Sequence, residues 1–305
     1  MTSPAVEAVA KPAAAETGGG AVKRGIASRI VARTGGGLVS VGLVVVALFW
    51  LVPTFGLLVS SLRDPQDTGA SGWWKVFSHP GQLTWNNYDK LLSNDDMMKA
   101  FFNTVWITVP STVLVILIGS LAAYAFAWLE FPGRDWLFLV VVGLLVVPIQ
   151  VALIPISKLY GETHLFGTIT GVVLFHVAFG LPFAVFLLRN YFAGIPRDLL
   201  EAARMDGGTD LTIFFRVVLP LGLPAIASLA IFQFLWVWND MLVALIYADA
   251  DSQPLTVALQ SQTRAMGANI EVLAPGAFLS LVVPLAVFFA FQRHFVQGVM
   301  AGAVK

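Results

Sequence analysis

The sequence predicts an all-α polytopic membrane protein, and composition and hydropathy lead to that fold class. Of the 305 residues, 57% are hydrophobic and 12% are charged, whereas soluble domains average about 45–50% apolar and about 25% charged residues. The mean hydropathy is +0.80. A water-soluble fold of this size cannot hide so much apolar surface, which excludes an ordinary cytosolic enzyme or a secreted domain.

Six apolar runs approach or exceed the length of about 20 helical residues that crosses a bilayer. They lie at residues 38–62, 101–129, 136–157, 168–188, 221–247 and 275–291. Each is predicted to be a transmembrane helix, because lipid offers backbone groups no hydrogen-bonding partner outside the segment. Prolines inside the runs, such as Pro110 and Pro148, do not argue against helices, since membrane helices tolerate them. The predicted domains are a disordered tail at 1–37, a six-span domain at 38–292 and a C-terminal tail at 293–305.

The distribution of lysine and arginine predicts the orientation. With six spans both termini lie on one side, and that side carries 12 of the 18 Lys and Arg residues. The richer side of a membrane protein faces the cytoplasm. We therefore expect a multi-pass protein of the cell membrane with both termini and both tails in the cytoplasm.

Several kinds of chemistry are excluded by residues that the sequence lacks. It has no cysteine, which removes disulfides, thiolate nucleophiles and Cys-based metal sites. The net charge is zero, so the basic footprint of a nucleic-acid binder is absent. Neither a P-loop nor an H-E-x-x-H motif occurs in the sequence, so no ATP site of its own and no zinc-enzyme site are expected. We predict no catalytic residue, no metal site and no cofactor.

The longest outer connection, residues 63–100, is rich in aromatic residues. Trp73, Trp74, Trp85 and Tyr88 fall in this loop. One interpretation is an aromatic belt at the membrane–water interface. The alternative is a docking surface for an external protein, and the sequence leaves both open.

The cytoplasmic segment at 190–220 contains the most informative motif. Pro196 suits the first turn of a helix, and Gly207 with Gly208 favours a helix end with a left-handed cap. Thr209 or Asp210 is placed to cap a second short helix. The segment therefore predicts a helix, a glycine turn and a helix, with small residues at Ala202 and Ala203 that let another protein approach. An amphipathic loop lying on the bilayer surface is the alternative.

This segment resembles the EAA signature of ABC importer permeases. Glu201-Ala202-Ala203, three residues, Gly207, nine residues, Val217, one residue and Leu219-Pro220 reproduce its spacing. Val217 stands where the family usually has Ile, and Gly208 where it often has Ala. Trp238-Asn239-Asp240 and the stretch at 295–305 are similar to motifs of the carbohydrate branch, the permeases similar to the MalG subunit of the maltose importer. The resemblance spans roughly residues 38–305.

The resemblance implies a type I ABC importer permease fold and a set of partners. Such a permease pairs with a second, MalF-like permease in the lipid bilayer, docks on a dimer of cytoplasmic ATPases and receives sugar from an extracytoplasmic binding protein. The residues it implies in ATPase coupling are Glu201, Ala202, Ala203, Asp206, Gly207, Gly208, Leu219 and Pro220. In the maltose branch the C-terminal tail also reaches between the ATPases.

A candidate substrate path is predicted within the fifth span. Asp240 is the one acidic residue that we place within a span, and a charge there costs roughly 2.5–3.5 kcal/mol at the bilayer centre unless it faces a cavity or a partner. With Trp236 and Asn239 it would suit the faces and hydroxyls of a sugar. The alternative is that Asp240 lies near the outer end of the span or packs structurally. His176 is expected to be a packed or hydrogen-bonded histidine.

Two other functional classes compete with a sugar-importer subunit. An ion-coupled secondary transporter would require several ionisable groups within the membrane, and only Asp240 and His176 qualify. An intramembrane enzyme ranks last, because paired intramembrane aspartates, G-x-S-x-G and zinc motifs are all missing from the sequence. Within the ABC class, a polyol or a glycerol phosphate is the alternative cargo.

Overall fold

The regular structure of this chain is helical, as the sequence predicts. The structure is a computed structural model and describes residues 26–264 and 270–303. The helices are α1 (Ile26–Ser61), α2 (Pro65–Ala70), α3 (Asn86–Leu92), α4 (Asp95–Trp128), α5 (Arg134–Leu144), α6 (Ile149–Thr163), α7 (Ile169–Phe192), α8 (Arg197–Met205), α9 (Asp210–Ile213), α10 (Leu219–Trp238), α11 (Leu242–Tyr247), α12 (Leu255–Arg264) and α13 (Ile270–Ala303). The described residues through Thr54 form one compact unit, and those from Phe55 onward form another.

Five helical segments within the described residues are long and apolar enough to cross a membrane. They are Val39–Ser61, Asp95–Trp128, Ile169–Phe192, Asp210–Trp238 and Glu271–Gln292. Each overlaps one of the predicted spans. Large apolar side chains remain exposed on the described helices, among them Trp136 at 75% and Phe49 at 73%, as expected for surfaces that face lipid rather than water.

The third predicted span, 136–157, differs from a single straight helix. Its residues form α5 and α6, which meet at a bend of 102°, and the pair counts as a sixth span only if it is taken as one. Pro148 stands immediately before α6 with an extended backbone. Proline has no N–H to donate and disfavours helical geometry at the residue before it, so the helix breaks here.

The fifth predicted span also ends differently from the prediction of 221–247. α10 ends at Trp238 and a new short helix, α11, begins at Leu242. Asn239 Nδ2 donates to the Leu235 carbonyl at 2.7 Å, and the Asp240 carboxylate accepts from the backbone of the next helix. Asparagine and aspartate compete in this way with the helical hydrogen-bond ladder, so the span stops at these two residues.

The predicted tails fall partly outside the described residues. Residues 1–25, most of the N-terminal tail, and residues 304–305 are not described. Of the remainder, residues 26–37 belong to α1 and residues 293–303 belong to α13.

The core of the second unit is built by α4, α7 and α10. α4 packs most extensively on α7, and α10 packs on α13, α4 and α7. Gly119 of α4 lies so close to α7 that an added Cβ would be 2.8 Å from the Ala184 Cβ. Further along both helices, Trp128 Nε1 of α4 donates to the Phe192 carbonyl of α7 at 3.1 Å. Since residue numbers rise together along this contact, α4 and α7 run parallel.

α10 runs antiparallel to α7, which places its two ends at opposite ends of that helix. A Cβ at Gly222, near the start of α10, would lie 2.5 Å from a ring carbon of Phe192 at the end of α7. Asp240, just after α10, lies against His176 near the start of α7. The two helices therefore lie against each other near both ends of α10.

The outer connection at 64–94 folds around a fully buried arginine. Arg63 is 0% exposed, and its guanidinium donates to Gln82 Oε1 at 3.0 Å and to the Ser71 carbonyl at 3.0 Å. It also donates to Ser71 Oγ at 2.7 Å and to the Asp67 carbonyl at 3.1 Å. These bonds hold α2 and the 3₁₀ turn at 80–82 beside the end of α1, and α3 joins them through the Asn87 amide, which donates to the Arg63 carbonyl at 2.7 Å.

Candidate functional site

The 190–220 segment has the predicted architecture of a helix, a glycine turn and a helix. α8 follows Pro196 and ends before Gly207, whose φ is +80°. The Gly207 N–H donates to the Arg204 carbonyl at 2.9 Å, and the Gly208 N–H donates to the Ala203 carbonyl at 3.0 Å. These bonds satisfy carbonyls that the end of a helix leaves open. Thr209 caps α9, since its hydroxyl accepts from the Thr212 N–H at 3.3 Å.

α8 has apolar residues on two of its faces. Leu200 is 1% exposed and belongs to the main core, against which Ala203 packs. On the outer face, Leu199 is 46% exposed and Met205 is 87% exposed, with Glu201 and Ala202 also exposed. Of the two small residues, Ala202 therefore faces outward and Ala203 faces the core. A helix anchored on one face with exposed apolar residues on the other has the form of a docking element.

The exposed apolar surface continues beyond the glycine turn. Leu211 is 63% exposed and Phe215 is 55% exposed, while Ile213 and Phe214 are buried beneath them. A cleft of about 200 Å³ lies beside α8, lined by Ala203, Asp206, Gly208, Thr212, Ile213, Arg216 and Val217. We call this surface, α8 together with residues 206–217, the coupling surface. Leu219 and Pro220 lie at the start of α10, where they join the surface to the membrane domain.

Side-chain contacts connect the coupling surface to two membrane helices. The rings of Tyr124, on α4, and Phe214 lie 5.4 Å apart. The Tyr124 hydroxyl is 3.5 Å from Asp210 Oδ1, and Arg204 pairs with the same oxygen at 3.7 Å. Residues Phe214–Val218 form a π-helical turn that leads into α10, a geometry that is rare and occurs often at functional sites. The coupling surface therefore contacts α4 and leads directly into α10.

The three candidate path residues take different positions at the outer end of α10. The Trp236 ring lies edge-on to His176 at 5.1 Å. Asn239 is exposed, and its amide donates back to α10. The two carboxylate oxygens of Asp240 accept from the Val243 N–H at 3.3 Å and the Ala244 N–H at 3.1 Å. The structure thus gathers Trp236 and Asp240 around His176 and makes Asp240 the cap of α11.

His176 is fully buried beside Asp240. Its exposed fraction is 0%, and its Nε2 lies 3.5 Å from Asp240 Oδ2. That separation is longer than a good hydrogen bond, and among the described residues neither ring nitrogen has a hydrogen-bond partner. The sequence prediction of a packed histidine agrees with this position.

Hydrogen bonds order the turn between α11 and α12 on the outer side. Asp249 Oδ1 accepts from the Ser252 hydroxyl at 2.9 Å, from the Ser252 N–H at 2.9 Å and from the Asp251 N–H at 3.0 Å. The bonds from Ser252 stabilise the carboxylate and lower the pKa of Asp249. Since the folded pKa is lowered, the stability that this turn gains is present above the unfolded pKa and is lost as the pH falls through the folded one.

Sequence reasoning missed one polar residue that the structure singles out. Gln233, in the middle of α10, is 3% exposed and lines a cleft between α7 and α10. The available signal was a lone amide in an apolar run, Ile-Phe-Gln-Phe-Leu-Trp. Its neighbours on α7 become visible only once the two helices are packed.

A family model described as "Binding-protein-dependent transport system inner membrane component" matches residues 96–300. The chain belongs to this family. The match runs from the start of α4 into α13 and includes the whole coupling surface. As a member of this inner-membrane family with several apolar helices, the chain is a multi-pass membrane transport permease.

Curated members of the family cover most of the chain. The osmoprotective compounds uptake permease protein GgtD of Synechocystis sp. is 48% identical over 272 residues, which is 88% of this chain and 91% of that protein. The alpha-glucoside transport system permease protein AglG of Rhizobium meliloti is 51% identical over 233 residues, 74% of this chain and 61% of that protein.

The fold of this permease family is also seen in a solved structure. A chain of a bacterial ABC transporter that imports the acidic polysaccharide alginate superposes with a TM-score of 0.72 at 22% identity, over 86% of this chain and 97% of that chain. The predicted fold class, that of an ABC importer permease, is thereby confirmed.

Proposed function

We propose that this chain is the transmembrane permease subunit of an ATP-driven, binding-protein-dependent importer of sugars or oligosaccharides. It forms one half of the translocation path. The observation that carries the proposal is the coupling surface, an EAA-type segment that is anchored by Leu200 and exposes Leu199 and Met205 in a member of the binding-protein-dependent permease family.

The coupling surface supports a cytoplasmic ATPase dimer as the partner that supplies energy. The sequence has no P-loop, so nucleotide must act through another subunit. Exposed apolar side chains flanked by Glu201 offer that subunit both buried area and an opposite charge for a basic group. The proposed orientation, with both termini in the cytoplasm, puts this surface on the side where ATP is found.

The names of the relatives support a carbohydrate cargo. AglG is named for alpha-glucosides, and GgtD is named for osmoprotective compounds. The second name keeps a polyol or a glycerol phosphate as the alternative cargo in the same class. A screen of the cognate binding protein against α-glucosides, polyols and glycerol phosphates would show which of these classes the importer carries.

A second, MalF-like permease and an extracytoplasmic binding protein complete the proposed importer. The outer connection supports docking of the binding protein, because Trp74 is 60% exposed and Phe77 and Trp85 are each 71% exposed. Trp73 is half-buried, and its ring centroid lies 5.7 Å from that of Phe55 and 6.3 Å from that of Phe77. These contacts order the aromatic cluster to which the exposed ring of Phe77 belongs.

The proposed mechanism is a gate with two conformations, and nucleotide binding to the ATPases shifts the equilibrium between them. When the ATPases close, α8 moves with them, and its contacts carry the displacement to α4 through Tyr124 and to α10 through the π-helical turn. At the other end of α10, Asp240 holds α11 and lies against His176 of α7. Only contacts that differ between the two states shift such an equilibrium, so closure must change this outer packing.

Glu201→Lys is expected to abolish sugar uptake and to weaken co-purification of the ATPase. Glu201 is exposed on the outer face of α8, so a reversed charge harms docking without disturbing the core. Uptake into proteoliposomes and ATPase recovery on the tagged permease are the measurements. Glu130→Lys, an exposed acid at a different cytoplasmic turn, is the matched control. Normal uptake and normal ATPase recovery in Glu201→Lys would contradict the proposal.

Asp240→Leu is expected to reduce uptake more than it reduces assembly of the complex. We propose that Asp240 lies in the substrate path with Trp236 and Asn239, in addition to capping α11. Loss of the cap alone costs about 0.5–2 kcal/mol, and Asp240→Asn keeps an acceptor for it, so the asparagine variant should assemble like the wild type. Sugar-stimulated ATPase activity is the readout, and an unchanged value in Asp240→Leu would remove Asp240 from the path.

A further inference from the structure

A cleft between α7 and α10 has aromatic walls and one amide. Its volume is about 260 Å³, and it is lined by Phe179, Gly180, Phe183, Phe232, Gln233 and Trp236. Ligand pockets usually measure about 300–1,000 Å³ and combine apolar walls with a few placed polar groups. This cleft is slightly smaller than that range, which suits one ring of a ligand rather than a whole oligosaccharide.

Gln233 has an unused hydrogen-bond donor at this cleft. The side chain is 3% exposed, and its Nε2 has no hydrogen-bond partner among the described residues. Gly180 opposes it so closely that a Cβ there would lie 2.7 Å from Gln233 Oε1. A buried polar group without a partner costs stability, and an acyl chain of lipid cannot satisfy it. The observation therefore points to a polar ligand.

The aromatic walls are held in place by contacts with neighbouring rings. Phe179 stacks on Phe175 with centroids 4.6 Å apart, and Phe183 meets Phe232 edge-on at 6.3 Å. Trp236 is fixed by its edge contact with His176 at 5.1 Å. Rings ordered in this way offer rigid apolar faces beside a single amide donor. That combination suits a pyranose, which has apolar C–H faces and hydroxyl oxygens on its rim.

We propose that this cleft binds one pyranose ring of the transported sugar. Gln233 Nε2 donates to a ring hydroxyl, and Phe179, Phe183 and Trp236 contact the C–H face. The inference rests on the proposed function, since it needs a sugar to enter the membrane domain, and it makes this subunit a direct contributor to sugar recognition.

The main test compares Gln233→Leu with Ser228→Ala in the reconstituted importer. Ser228 is equally buried on the same helix, but its hydroxyl donates to the Pro224 carbonyl at 3.0 Å, so it has no unused donor. The probe is radiolabelled trehalose, sucrose or maltose, whichever the binding protein carries. Loss of one hydrogen bond predicts that the KM for uptake rises by about five- to tenfold in Gln233→Leu, and that Ser228→Ala stays within about twofold of the wild type.

Thermal stability distinguishes recognition from a structural role. Leucine removes an unpaired amide from an apolar site, so Gln233→Leu should raise the Tm of the purified complex while it weakens uptake. A lower Tm with a proportional loss of uptake would assign Gln233 to packing and overturn the proposal, as would an unchanged KM. A cognate binding protein that binds no sugar or oligosaccharide would instead contradict the proposed function.

A thiol-protection measurement decides the question if Gln233→Leu does not assemble. The chain has no cysteine, so Phe183→Cys on the cleft and Leu174→Cys elsewhere on α7 report single positions. The modification rate of each variant by a methanethiosulfonate reagent is measured with ATP, vanadate and the binding protein present. The same sugar should slow the modification of Phe183→Cys at least about threefold and leave the modification rate of Leu174→Cys unchanged. Equal modification rates at position 183 with and without sugar would mean that lipid or a partner helix fills the cleft.

Discussion

Gly207→Pro is expected to abolish uptake while the chain still inserts into the membrane. Gly207 has a φ of +80°, and proline is confined to a φ near −65°. The substitution also removes the N–H that donates to the Arg204 carbonyl at 2.9 Å. α8 would then end differently and Met205 would leave its place on the coupling surface, so the proposed contact with the ATPases would be lost.

Alanine substitutions test whether the loss of uptake depends on a position in the coupling surface or on backbone strain at any turn. Gly133, at the turn before α5, has a φ of +82°, and a Cβ at either glycine meets no atom within 4 Å. Gly133→Ala and Gly207→Ala therefore carry similar strain, about 1–2 kcal/mol. We expect uptake to fall several-fold in Gly207→Ala and to stay within about twofold of the wild type in Gly133→Ala. Equal losses in the two variants would mean that strain in any cytoplasmic turn stops transport.

Arg63→Ala is expected to unfold the outer connection and to be strongly destabilising. The four hydrogen bonds of this buried guanidinium end on uncharged, half-buried acceptors in residues 67–82, and removal of the arginine takes a donor away from each of them. We expect the free energy of unfolding to fall by about 2–4 kcal/mol. Arg63→Lys should rescue little, since an ammonium group cannot reproduce the planar fork of donors. Thermal unfolding of the purified complex and tryptic cleavage at Lys75 are the measurements.

Lys90→Ala is the matched control for the arginine variants. Lys90 lies in the same outer connection and pairs with Glu271 at 2.8 Å, with 41% of its side chain exposed. Exposed ion pairs contribute about 0–1 kcal/mol, so this variant should unfold almost like the wild type and resist cleavage at Lys75. A stability loss in Lys90→Ala as large as that in Arg63→Ala would show that Arg63 does not organise the outer connection.

Local chemistry was enough to predict the helix–turn–helix of the coupling surface. Gly207 and Thr209 act through backbone geometry and capping bonds within a few residues, and the structure has Gly207 at the predicted turn and Thr209, one of the two predicted caps, at the start of α9. Pro196 lies immediately before α8 rather than in its first turn. The membrane spans were predictable for a related reason, since the length of each apolar run is read directly from the sequence. The end of α10 at Asn239 and Asp240 was not predicted. The residues on both sides of this pair are apolar, so the whole stretch was interpreted as one continuous span.

The packing of the helices could not be read from the chain. Gln233, Gly180 and Phe183 are separated by up to 53 positions, and only the antiparallel packing of α7 on α10 brings them to one cleft. In the same way, nothing near Asp240 in the sequence indicates that His176 lies 3.5 Å away.

The sequence by itself determined the membrane location, the helical class, the family signature and the glycine turn, because composition, span length and capping depend on neighbours along the chain. Tertiary structure alone decided which face of α8 is exposed, how Arg63 orders the outer connection and where an unpaired amide meets aromatic rings. These features depend on which helices come into contact, and helix contacts are set by surface shape and burial across the whole fold.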